Sequence, residues 1–110
     1  MKVVWSENAE TTFDSIVLYI EAKFGVPSAK KFIVKVDSVI HSISKHPYVY
    51  KISSFNNKVR KAVISKQCSL FYEINKETIQ LSYFWDNRQE PAYSDETVHP
   101  IPGQTEQLFL

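Results

Sequence analysis

The apolar positions of the chain change period twice, and the changes mark out its elements. Val3, Val4 and Trp5 form a short apolar run that reads as a strand. Ser6 and Asn8 then offer the side-chain acceptors that open helices, and Glu7 and Glu10 sit where the positive end of a helix dipole favours acids. Phe13, Ile16, Val17, Ile20 and Phe24 follow at intervals of three and four, one apolar stripe of a helix, and Gly25 supplies the stop. The spacing predicts a helix over 7–24. Pro27, tolerated in a first turn, and Ser28 open a second stripe that runs through Ala29, Phe32, Ile33, Val36, Val39, Ile40 and Ile43 to the break at Pro47. This predicts a helix over 27–46, and so short a connection makes the two helices an antiparallel hairpin.

Beyond residue 57 the pattern becomes that of strands. Runs over 58–66, 68–74 and 78–85 are rich in β-branched and aromatic residues, with Lys66 and Gln67 as a tight turn and Asn75, Lys76 and Glu77 as a hairpin connection. The order strand, helix, helix, strand, strand, strand predicts a two-layer α+β domain: an N-terminal strand and an antiparallel helical hairpin packed on one face of a small, mainly antiparallel sheet. The other face of the sheet is left open, which is costly unless something covers it. From Glu90 onward Pro91, Pro100, Pro102 and Gly103 interrupt every period until Leu108, Phe109 and Leu110. The expected division is a folded domain over 1–91 and an irregular acidic tail over 92–110.

Composition narrows the class. A chain of 110 residues with 44% hydrophobic and 23% charged residues fits one globular domain rather than a multidomain enzyme. No run approaches the roughly 18 apolar residues of a membrane helix, and the first ten residues lack the apolar core of a signal peptide, so a cytoplasmic location is expected. The single cysteine, Cys68, excludes an internal disulfide and reads as a small core residue. His41, His46 and His99 have no metal-site spacing, and no glycine-rich loop can cradle a phosphate, so neither a metal, a cofactor nor a small-molecule substrate is expected. Net charge is only +1, but residues 1–89 carry 13 basic and 8 acidic residues (+5), whereas residues 90–110 carry four acids and no Lys or Arg (−4).

The chemistry-bearing positions are cations. Between Lys45 and Lys66 stand six basic residues and no acid, with Tyr48, Tyr50 and Phe55 interleaved, which suits either an anionic partner or a solvated surface. Strand alternation sends Arg60, Ala62 and Ile64 to one face and Val59, Lys61 and Val63 to the other, so one of Arg60 or Lys61 points across the open face. Arg88 follows the last strand beside Asp86 and Asn87, where it serves equally as turn chemistry or as a partner contact.

The sequence resembles the RelE/ParE superfamily of toxins from type II toxin-antitoxin systems, also called plasmid stabilisation proteins. The resemblance spans roughly residues 2–91. It rests on Val3-Val4-Trp5-Ser6 with Ala9 and Phe13, the block 25–32 with Gly25, Ala29 and Phe32, Val59-Arg60-Lys61-Ala62-Val63-Ile64, Leu70-Phe71-Tyr72-Glu73-Ile74, and the close Phe84-Trp85-Asp86-Asn87-Arg88-Gln89-Glu90-Pro91. It implies the same fold and a growth-arresting toxin neutralised by a co-encoded antitoxin, with Lys58, Arg60, Lys61 and Arg88 as contacts to the antitoxin or the target. RelE-like members cut messenger RNA on the ribosome, whereas ParE-like members inhibit DNA gyrase. Cleavage needs a base, an acid and cations around one phosphate. Arg60, Lys61 and Arg88 are the candidates for the cations, but the tyrosine or histidine-tyrosine pair of the nucleases is replaced by Asn87, Arg88 and Gln89, with Tyr93 displaced past Pro91. The Arg88 to Pro91 ending is similar to that of ParE-like members, so the expectation is a gyrase inhibitor without enzymatic activity, with the ribosome-dependent endoribonuclease as alternative.

Overall fold

The computed structural model describes residues 1–54 and 56–87; the expected tail over 92–110 and the candidate Arg88 lie outside the described residues. The elements are β1 (Lys2–Trp5), α1 (Glu7–Phe24), α2 (Val26–Lys45), β2 (Arg60–Ser65), β3 (Cys68–Asn75) and β4 (Thr78–Asp86). They form one sheet in the order β1-β4-β3-β2, with β1 parallel to β4 and the other pairs antiparallel. This is the expected α+β arrangement. The one parallel pair, Lys2 to Trp5 against Thr78 to Leu81, brings the two ends of the fold together.

Each boundary has a local cause. The Ser6 hydroxyl accepts from the Ala9 amide at 2.9 Å, starting α1 as a side-chain cap does. Gly25 alone links the helices: its N–H donates to Glu21 O at 3.0 Å and its carbonyl accepts from Ala29 N at 3.2 Å, so one residue ends α1 and begins α2. That geometry requires φ 97° and ψ 165°, a conformation open essentially to glycine only. The second helix therefore starts one residue before the expected 27. Two-residue turns join β2 to β3 and β3 to β4, the latter with Lys76 in the left-handed region at φ 55°.

Between the helices and the sheet lies the main core, with Ala9, Ile16, Ile20, Val36 and Ile43 facing Ala62, Ile64, Leu70, Tyr72, Ile79, Leu81 and Phe84. Trp5, Phe13, Phe32 and Phe84 link both strands and helices through ring contacts of 5.4–6.1 Å. The stripes are narrower than the sequence pattern suggests. Phe32 and Ile40 are half-buried against this core, and Phe24 and Ile33 are exposed. The reason is that α2 packs chiefly on α1 and meets the sheet mainly through β2, while Phe24 stands at the last position of its helix. The face away from the helices is not bare either. Val59, Phe71 and Trp85 are at most 7% exposed there, with Tyr83 stacked on Phe71 at 4.9 Å.

The far end of β4 is held by side chains. β1 stops at its pairing with Leu81, so beyond it the β4 backbone has no neighbour strand on that side among the described residues. Ser6 takes over, its N–H donating to Leu81 O at 3.2 Å and its hydroxyl to Ser82 O at 2.9 Å. Nearly two turns further along α1, the buried Thr12 Oγ1 accepts from Phe84 N at 2.9 Å while donating to Asn8 O at 2.8 Å. Ser82 is the extra residue of a bulge, because Phe71 pairs with Tyr83 and Tyr72 with Leu81. No helix among the described residues is long and apolar enough to cross a membrane.

Candidate functional site at the edge of the sheet

After α2 the chain turns at His46, whose N–H donates to Ser42 O at 2.8 Å, and comes back along the outer edge of β2. Ile52 bridges Arg60, Lys61 N donates to Lys51 O at 3.0 Å, and Ser53 N donates to Val59 O at 2.7 Å. The basic and aromatic stretch is thus a cover for a sheet edge that otherwise presents unpaired backbone groups.

Arg60 organises this cover. Its Nη1 donates to Tyr50 O at 2.6 Å, and its guanidinium carbon lies 5.1 Å from the centre of the Tyr48 ring. Tyr72, opposite Arg60 on β3, donates from its phenol to Pro47 O at 2.7 Å and meets the Tyr50 ring edge-on at 6.3 Å. The Tyr50 phenol in turn donates to Ser42 Oγ at 3.1 Å. Burial pushes the Tyr72 phenol up from its ordinary 10.0 to about 12; the Arg60 charge opposes the rise and Tyr50 adds to it. Tyr72 therefore stays protonated at neutral pH and acts as a hydrogen-bond donor, not as a base.

Of the four expected contact residues, the three that are described do not converge. Arg60 faces the helices with Ala62 and Ile64, whereas its neighbour Lys61 is exposed on the opposite face with Val63. Lys58 is exposed in the turn before β2, its N–H donating to Asn56 Oδ1 at 2.8 Å. Arg88 lies outside the described residues, one position beyond Asn87, whose N–H donates to Gln67 O at 2.6 Å. Sequence reasoning noted Tyr48 and Tyr50 only as aromatic neighbours of the cations and gave Tyr72 no role. Alternation separated Arg60 from Lys61 and left open which of the two faces the core; the structure puts Arg60 there, and only the β2-β3 register pairs it with Tyr72. Among the described residues no group of three or more His, Cys, Asp or Glu side chains is placed to hold a metal ion.

Around this cluster the surface is apolar as well as basic. Tyr48 is 64% and Val49 69% exposed, with Lys51 and Lys58 on the same connection. Such a surface offers ring and aliphatic contacts together with cations, the combination that an acidic, partly apolar protein segment complements.

The fold recurs in solved toxins. A chain of the chromosomal ParDE toxin-antitoxin system from P. aeruginosa superposes with a TM-score of 0.63 at 16% identity, covering 78% of this chain and 95% of its own. A chain of the heterotetrameric YoeB-YefM toxin-antitoxin complex from Staphylococcus aureus gives 0.56 at 15% identity over 77% and 94% of the two chains. The YoeB/ParE toxin from Agrobacterium tumefaciens gives 0.56 at 10% identity over 78% and 98%. At these identities the likeness is one of fold. A search of curated proteins finds no matching sequence. The model of the family described as the ParE toxin of type II toxin-antitoxin system, parDE, matches residues 3–91, from the first residues of β1 to just past β4, and the chain therefore belongs to the ParE toxin family.

Proposed function

We propose that this toxin arrests growth by binding DNA gyrase through protein contacts, without cutting RNA, and that a co-encoded antitoxin neutralises it by covering the basic and apolar surface at the β2 edge. The carrying observation is the placement of Arg60 and Lys61 on opposite faces of the sheet. A phosphorane requires its cations, acid and base within hydrogen-bond reach of one phosphate. Adjacent strand residues cannot supply two of them to the same side. Arg60 is moreover engaged by Tyr50 O, and Tyr72 is a phenol held to Pro47 O. Of the four candidate residues, the exposed cations left for a partner are Lys58 and Lys61, joined in sequence by Arg88, and these are the residues we assign to antitoxin or target contact.

Two assays on the purified chain test this reading. It should slow gyrase-catalysed supercoiling of relaxed plasmid while leaving messenger RNA on translating ribosomes intact. Expressed alone, it should arrest growth, and Lys61→Glu or Arg88→Ala should relieve the arrest. Codon-phased cuts in translated messages, lost on Lys61→Glu, would restore the endoribonuclease reading.

A further inference from the structure

A second surface lies on the outer side of α2. The helix turns Ala29, Val36 and Ile43 to the core, while Val26, Lys30, Ile33, Val34, Asp37 and His41 are all exposed. Val26 and Ile33, Lys30 and Asp37, and Val34 and His41 each stand two turns apart, so the members of each pair share one side of the helix at a spacing of about 10 Å. In the middle of this strip Ile33 is 41% and Val34 67% exposed. Along its flank, between α2 and β1, runs a groove of about 480 Å³ walled by Val3, Val34, Ile40 and His41.

We infer that this strip binds a second copy of the chain, the two α2 helices lying antiparallel across a two-fold axis. The ground is that the strip is complementary to itself. A two-fold interface sets residue i against j and j against i, so a surface carrying one charge sign repels its own copy. Here a cation and an acid flank an apolar centre at equal distances. With the axis between Ile33 and Val34, these two residues meet Val34 and Ile33 of the other copy, and Lys30 of each copy faces Asp37 of the other. Val26 of each then reaches the groove beside His41 of the other. A parallel pairing would instead set Lys30 on Lys30 and Asp37 on Asp37, so the charges select the antiparallel one.

The size of the contact sets its strength. From Val26 to His41 the overlap is about 24 Å of helix, and at a width of about 12 Å it buries on the order of 1,000 Å² over both copies, near the lower end of specific interfaces. A pair of that size exchanges rather than persists, with a Kd on the order of 10–100 µM. Helices packed in this way lie roughly 8–10 Å apart, close enough for the Lys30 and Asp37 side chains to meet at the flank. The strip ends before the connection over 47–52, so each copy keeps the Tyr48 and Val49 surface at its β2 edge, and the dimer carries two of them.

Charge exchange provides the test. In sedimentation equilibrium the mass of the full-length chain should rise from one copy toward two between about 1 and 500 µM, the range that brackets the expected Kd. Lys30→Asp turns both cross-pairs into acid against acid and Asp37→Lys turns both into cation against cation, so each variant alone should associate about 10-fold more weakly or not at all. Mixing the two single variants in equal amounts, or combining both reversals in one chain, recreates two pairs of opposite charge and should restore association. Val34→Glu should also keep the chain monomeric. All three positions are exposed, so thermal unfolding should be little changed in every variant. Association that survives Val34→Glu or the single reversals, or a mixture that associates no better than its separate components, would overturn the assignment. A natural chain that stays monomeric over the whole range would overturn it too, and would leave the strip to a different protein.

Discussion

The hydroxyl of Thr12 joins the first helix to the last strand, and its removal should be among the most damaging conservative changes in the chain. Thr12→Val keeps shape and nearly the same helix propensity but leaves the Phe84 N–H, now paired at 2.9 Å in a buried setting, without its acceptor. An unsatisfied buried donor costs about 1–3 kcal/mol, and with valine's extra apolar contact set against it a net loss of about 2 kcal/mol is expected. Unfolding entropy of roughly 2.1 cal/mol/K per residue gives about 0.23 kcal/mol/K for this length, so the melting temperature should fall by about 9 °C. Thr12→Ser retains the hydroxyl and should lose less than half as much. Circular dichroism melts check the temperatures, and amide exchange at Phe84 checks the cause, since its protection should drop in the valine variant ahead of its neighbours. A valine variant within about 2 °C of the natural chain, or a serine variant as unstable as valine, would refute the reasoning.

Two further outcomes follow from the same geometry. Tyr72 keeps its proton to a higher pH when folded, because burial raises its pKa from 10.0 to about 12, so its contribution is fully present below pH 10 and is lost as pH rises from 10 toward 12. A rise from 10.0 to about 12 sets a ceiling of about 2.7 kcal/mol, and screening near the loop reduces this to roughly 1–2 kcal/mol. Urea titrations from pH 9 to 11.5 should therefore show a steeper loss of stability in the natural chain than in Tyr72→Phe. For Gly25→Ala the added Cβ would meet only Pro27 Cδ at 3.6 Å, an ordinary contact, so its cost is that of the backbone conformation alone, about 1–3 kcal/mol. A melting temperature lowered by less than about 3 °C would show that the hairpin can be joined by a different turn.

The helices were legible because their signals are local. Ser6, Gly25 and the two stripes lie within a few residues of the boundaries they determine, and α1 runs over the expected 7–24. The turn at 66–67 was legible for the same reason, whereas the connection expected over 75–77 is shorter by one residue because Asn75 still pairs with Thr78. What the pattern could not supply was pairing across the chain. Nothing near Val3 says that it lies parallel to Ile79, and nothing near Thr12 says that its hydroxyl serves an amide 72 positions away. The extent of burial along α2 was likewise hidden: a stripe records which side is apolar, but whether Ile33 is covered depends on how much of the helix overlies the sheet. At the candidate site alternation separated Arg60 from Lys61 correctly, while the partners of Arg60 come from a connection that returns along the β2 edge and has no periodicity of its own.

The separation of those two cations decides how functional loss must be read. Arg60 fastens the 47–52 connection through Tyr50 O and the Tyr48 ring, so replacing it loosens the very surface on which Tyr48 and Val49 are displayed. An Arg60 variant that no longer arrests growth is therefore uninformative about target contact, because a displaced connection and a lost contact have the same effect in cells. Lys61 is free of this ambiguity, since its side chain is exposed on the other face and its backbone alone meets Lys51 O. If Lys61→Glu abolishes gyrase inhibition at unchanged melting temperature, the outer face of the sheet meets the target. If it is silent while Arg60→Met is inactive and Tyr48→Ser reproduces the defect without lowering stability, the contact lies on the edge connection that Arg60 holds in place.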